Sequence, residues 1–169
     1  MIDRQLERLE SPTDHLAIPS PLMRYFEDFN VGDVTEVGPV TVSEDEMIEF
    51  ASHFDPQPFH IDPVAAKTSP YGGLIASGWH TTALFMGMFV RAVLLDAASL
   101  GSPGVEEIRW TAPVRPGDTL SGRSTITDVQ ASSTNAARGT VFSLNEVFNQ
   151  DGTLVLTLQA RGFFARRPA

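Results

Sequence analysis

A chain of 169 residues that is 42% hydrophobic and 20% charged has the size and composition of one ordinary globular domain with a single core. Its 21 Asp and Glu against 12 Lys and Arg give a net charge of -9, which disfavours nucleic acids and anionic membrane surfaces as partners. The lack of cysteine excludes disulfides, thiolate metal sites and a cysteine nucleophile.

Residues 1–22 mix charges with Pro12, Pro19 and Pro21 and carry no sustained periodicity, so they read as an N-terminal extension ahead of one domain over 23–166. The opening MIDRQLERLE alternates charge without an apolar run, unlike a secretory signal, and the simplest expectation is a cytoplasmic protein. Val34, Thr35, Val37, Val40 and Thr41 predict a first strand, interrupted near Gly38 and Pro39. Ser43 with Glu46 forms a capping box ahead of Met47, Ile48, Phe50, Ala51 and Phe54 at helical spacing, which predicts a helix over about 44–54.

The stretch FDPQPFHID comes next. Pro56 pushes Asp55 toward extended backbone, and Pro56 and Pro58 are expected to hold the segment out of a helix. Asp62 before Pro63 predicts a short helix through Lys67, broken by Ser69 to Gly73. From Gly78 to about Ala98 apolar side chains stand on nearly every side, predicting a long helix buried on most faces. Its apolar core, Thr81 to Leu95, falls short of the roughly 20 residues of a membrane span and contains Arg91.

The remainder is strand-like: Val105 to Thr111, then Asp118 to Val129, then a hairpin across Asn149 to Gly152. In that hairpin Phe142, Leu144 and Phe148 alternate with mostly polar residues, as do Leu154, Leu156, Leu158 and Ala160. This order predicts an α+β domain in which one antiparallel sheet wraps a central helix.

Asp55 and His60 are candidates for proton transfer, because imidazole titrates near neutral pH and a carboxylate lies on the same short loop. Two readings fit the spacing: an acid–base pair holding one water, or an aspartate that caps the helix beside a passively packed histidine. Gly78 also carries two readings. Its N–H at a helix start could meet a developing oxyanion, or the glycine could simply relieve crowding. His53 and His80 read as structural. No further His or acid stands near His60 and Asp62 at ligand spacing, so no metal site is expected, and Ser77 lacks the Gly-x-Ser-x-Gly frame of a serine hydrolase.

Three blocks, Asp55-Pro-Gln-Pro-Phe-His60-Ile-Asp62, Gly73-Leu-Ile-Ala-Ser-Gly78-Trp-His and Arg109-Trp-Thr-Ala-Pro-Val-Arg-Pro-Gly-Asp118-Thr-Leu, together resemble the MaoC-type dehydratases, over about residues 24–164. The resemblance implies a hotdog fold and an activity similar to that of R-specific enoyl-CoA hydratases: hydration of a 2-enoyl-CoA or dehydration of a 3-hydroxyacyl-CoA in fatty acid metabolism. It also implies that Asp55 and His60 are the catalytic pair and that Gly78 supplies a backbone donor to the thioester carbonyl. Gln57, Ser77 and Trp79 would border the substrate. Gln57 replaces a frequent Asn, and Ser77-Gly78-Trp79 replaces His-Gly-Met, which bears on the acyl group accepted. Coenzyme A enters as part of the substrate and no other cofactor is expected. A homodimer or higher homo-oligomer is expected, with arginines of a second subunit available to the CoA phosphates; an exposed sheet edge favours such pairing independently. A thioesterase and a noncatalytic acyl-thioester-binding subunit are the alternatives on this fold.

Overall fold

The computed structural model describes residues 23–168, so the expected extension over 1–22 lies outside the described residues. The first strand, β1 (Val34–Thr41), leads into helix α1 (Glu44–Phe54), whose N-terminus is capped by Ser43 accepting from the Glu46 N–H. Two single-turn helices follow, α2 (Pro58–Ile61) and α3 (Pro63–Ala66), the latter capped by Asp62 through the N–H groups of Val64 and Ala65. The central helix α4 spans Gly78–Phe89 and continues as one wider π turn over Val90–Leu94. Four strands complete the domain: β2 (Gly104–Trp110), β3 (Thr119–Ala131), β4 (Arg138–Phe148) and β5 (Leu154–Ala165).

The strands form one sheet in the order β1-β3-β4-β5-β2, and every neighbouring pair is antiparallel. Phe85 and Met88 of α4 pack with Val37, Leu120, Val147, Leu156 and Leu158 from the sheet and Met47 from α1. A second cluster, built on Phe29, Val93, Ile126 and Phe164, fills the far end of the helix. The α+β expectation of a sheet wrapped on a central helix is therefore met, and among the described residues no helix is long and apolar enough to cross a membrane.

Four local expectations are corrected. The segment after Asp55 is not free of helix: Pro58 occupies the first position of α2, where its missing N–H has no intrahelical role to lose. The central helix stops short of Ala98, because the backbone of Asp96 and Ala98 pairs with Arg24 instead, through Arg24 N–H to Asp96 O at 2.7 Å and Ala98 N–H to Arg24 O at 2.8 Å. Nor is that helix buried on most faces within this chain, since Trp79, Met86 and Leu95 are exposed. On β4 the core-facing residues are Val141, Ser143, Asn145 and Val147, while Phe142, Leu144 and Phe148 are half-buried on the opposite side. There Arg123 and Arg138 lie over the rings of Phe148 and Phe163, so cationic side chains shield the outer aromatic residues.

Candidate active site

Asp55 stands where α1 ends. Its N–H still bonds Ala51 O, but Pro56 prevents another helical turn, so the chain leaves the helix at the carboxylate. Gln57 then leads into α2, and that single turn swings His60 back toward Asp55. The His60 Nε2 and Asp55 Oδ2 atoms are 3.4 Å apart, with the histidine side chain buried and the aspartate partly open.

The buried segment Leu74–Ser77 orients both side chains. It is anchored by Ile75 N–H to Phe59 O and by Ala76 N–H to Val114 O. Ile75 O lies 2.8 Å from His60 Nδ1. A carbonyl only accepts, so Nδ1 carries the proton and Nε2 is the nitrogen presented to Asp55. Ser77, fully buried, donates its hydroxyl to Asp55 Oδ2 at 2.7 Å, and Gln57 donates its amide to Oδ1 at the same distance. Burial opposes ionisation of Asp55, but these two hydrogen bonds and the adjacent His60 outweigh it and hold the carboxyl below its ordinary range.

Gly78 is the first residue of α4, so its N–H has no carbonyl one turn earlier and lies at the positive end of the helix. The glycine itself has a steric cause: a β-carbon built there would run into the indole of Trp110. Trp110 is held against the helix by its N–H to Thr82 Oγ at 3.1 Å and packs edge-on to Trp79, with ring centroids 5.2 Å apart. The crowding reading of Gly78 is thus correct for its side chain, and it leaves the N–H free to have a separate role.

Asp55, His60, Gln57, Gly78, Trp79 and Trp110 border one cavity of about 620 Å³. Ser77 is not on its wall and acts on it only through Asp55. Sequence reasoning missed Trp110, Tyr71 and the carbonyl of Ile75. Trp110 lies inside a block already singled out, but only the register of β2 brings it to α4; a backbone carbonyl leaves no trace in residue identity. The nearby Arg115-Pro-Gly-Asp118 turn has a structural job. Asp118 accepts the Arg115 N–H, and the Arg115 side chain donates to Leu74 O and Tyr71 O, pinning the segment that leads to Ile75. Among the described residues no three His, Asp or Glu side chains group as a metal site.

Known proteins resemble this chain in sequence and in fold. Residues 30–145 match the family model described as a MaoC like domain. The chain is 31% identical over 111 residues to an (R)-specific enoyl-CoA hydratase of Rhodospirillum rubrum, covering 63% of this chain and 72% of that protein. The crystal structure of a MaoC-like dehydratase from the same organism superposes with a TM-score of 0.81 at 37% identity, over 86% of this chain and 99% of that one. A Mycobacterium tuberculosis protein described as having a double hotdog fold shares the fold at 19% identity, with a TM-score of 0.70, over 86% of this chain and 45% of its own. The sheet wrapped on α4 is accordingly a hotdog fold, and this chain belongs to the MaoC-like domain family.

Proposed function

We propose that the protein is a hydro-lyase that interconverts a 2-enoyl-CoA and water with the corresponding 3-hydroxyacyl-CoA. The observation that carries this reading is the 3.4 Å approach of His60 Nε2 to Asp55 Oδ2 on the wall of a cavity that also includes the start of α4. The depressed Asp55 suits a carboxylate that accepts a proton, and His60 presents the one ring nitrogen free to exchange its own.

In the dehydration direction Asp55 takes the proton from the α-carbon, the electron pair moves toward the thioester carbonyl, and the Gly78 N–H stabilises the oxygen charge that develops. The imidazolium of His60 gives its Nε2 proton to the departing C3 hydroxyl; the C–O bond breaks, the double bond forms and water is released. The pair finishes as neutral His60 and protonated Asp55, and proton transfer between them restores the starting state. Hydration is the reverse, with His60 as base toward water and Asp55 returning the α-proton.

The similarity to the (R)-specific enoyl-CoA hydratase of Rhodospirillum rubrum supports the same assignment of substrate class. Coenzyme A is part of the substrate, and the proposed steps require no other cofactor. Among the described residues nothing pairs with the outer edges of β1 and β2, and we infer a homodimer, which sedimentation at working concentration checks. The decisive assay follows the enoyl-thioester absorbance and thiol release in parallel. Loss of the enoyl band without thiol is expected. Thiol release would instead indicate a thioesterase, and acyl-CoA binding without either change would indicate a noncatalytic subunit.

A further inference from the structure

A second cavity, of about 590 Å³, lies between α4 and the inner face of the sheet. Phe85, Met86 and Phe89 line its helix side, and Ile108, Ile126 and Leu158 its sheet side. Across this apolar wall runs one polar row: Thr35 pairs in register with Ser124, and Ser124 with Asn145, on three adjacent strands. Asn145 is 1% exposed. Its amide NH2 donates to Ser143 Oγ at 3.1 Å and to Leu158 O at 3.0 Å, which fixes the amide orientation because a backbone carbonyl only accepts. Its Oδ1 is buried and has no partner among the described residues.

We propose that this row recognises a hydroxyl group on the acyl chain of the substrate, at a carbon beyond those that react. The inference rests on the hydro-lyase reading and extends it to substrate class. Trp79 lines both this cavity and the one holding Asp55 and His60, and in this proposal the acyl chain passes around its indole from the reacting carbons to the polar row. The chain must be apolar to fill most of the space, and it must bring one donor to Asn145 Oδ1, where leaving a buried acceptor unmade is costly. A hydroxyl satisfies both conditions and can also bond Ser124 and Thr35. An ionised carboxylate does not: it carries no proton to give to Oδ1 and would stand as a charge against a buried acceptor.

The test uses full-length protein and 2-enoyl-CoAs of matched length, either unsubstituted or bearing one hydroxyl at successive carbons from C5 outward. One hydroxyl position is expected to raise kcat/KM at least about tenfold over the unsubstituted chain, and Asn145→Leu is expected to reverse that preference. The wild-type series decides the matter even if the variant fails to fold. Equal or poorer turnover of every hydroxylated chain overturns the proposal, as does a preference that survives in folded Asn145→Leu. If no enoyl-CoA turns over, the hydro-lyase reading fails by itself, and calorimetric binding of the saturated hydroxyacyl-CoAs still decides this one. Tighter binding of one hydroxylated chain than of its unsubstituted match supports it, and equal affinity across the series overturns it.

Discussion

Ser77 donates its hydroxyl to Asp55 across 2.7 Å, tying the start of the central helix to the end of the first. The same oxygen caps the helix by accepting the Trp79 N–H at 3.2 Å. One buried side chain thus sets the position of α4, and with it Gly78, relative to the carboxylate.

Ser77→Ala removes a hydrogen bond to the charged form of Asp55. We expect kcat to fall about tenfold, as for loss of one charge-assisted hydrogen bond, with little change in KM. In the dehydration direction, where ionised Asp55 is the base, the acid limb of the kcat profile should move to higher pH, because a group that lowers the Asp55 pKa has gone. A profile measured from pH 4 to 8 distinguishes this from simple loss of folded protein, which would scale every point equally.

Asp55→Asn and His60→Gln keep the shape of each side chain and remove its proton chemistry. Each should lower kcat by about a hundred- to ten-thousandfold while saturated acyl-CoA still binds, and the double variant should lose no more than a further small factor. Full activity in both single variants would remove the pair from the mechanism.

Gly78→Ala places a methyl group against the Trp110 indole. The expected cost is about 1–3 kcal/mol of stability, read as a lower Tm by calorimetry, since the ring is tethered to Thr82 and cannot move without losing that bond. Combining it with Trp110→Leu should recover part of the loss, because the partner of the clash is then smaller and flexible.

His80 is buried, stacked on Phe50 with centroids 5.0 Å apart, and its Nδ1 has no partner among the described residues. Burial pushes its pKa below the ordinary 6.5, against a weaker upward pull from Glu46. The unfolded chain therefore binds a proton at a pH where the folded chain does not, so stability falls as pH drops below about 6.5. In His80→Phe the Tm between pH 7 and 5 should become flatter than in the wild type. An unchanged slope would mean that other groups cause the acid sensitivity.

Short-range chemistry made much of this protein legible in its residues. The Ser43 cap, the Asp62-Pro63 helix start, the turn at Asn149 to Gly152 and the Asp55 exit from α1 all depend on neighbours within a few positions, and each appears where expected. The motif blocks likewise marked the family, since their residue types and order can be read along the chain.

Pairing across the fold was not legible in the same way. A strand alternation is compatible with either face pointing inward, and only the register of β4 between β3 and β5 turned Asn145 rather than Leu144 toward the helix. The end of α4 depended on Arg24, more than 70 positions away, offering its backbone to Asp96 and Ala98. Residue types along the chain determined which groups can exchange protons, and the linear spacing of Asp55 and His60 left open whether they would meet. What decided it was the buried Leu74–Ser77 segment, whose Ile75 carbonyl selects the tautomer of one and whose Ser77 hydroxyl holds the other: contacts made through space, with energies that depend on burial and direction rather than on sequence separation.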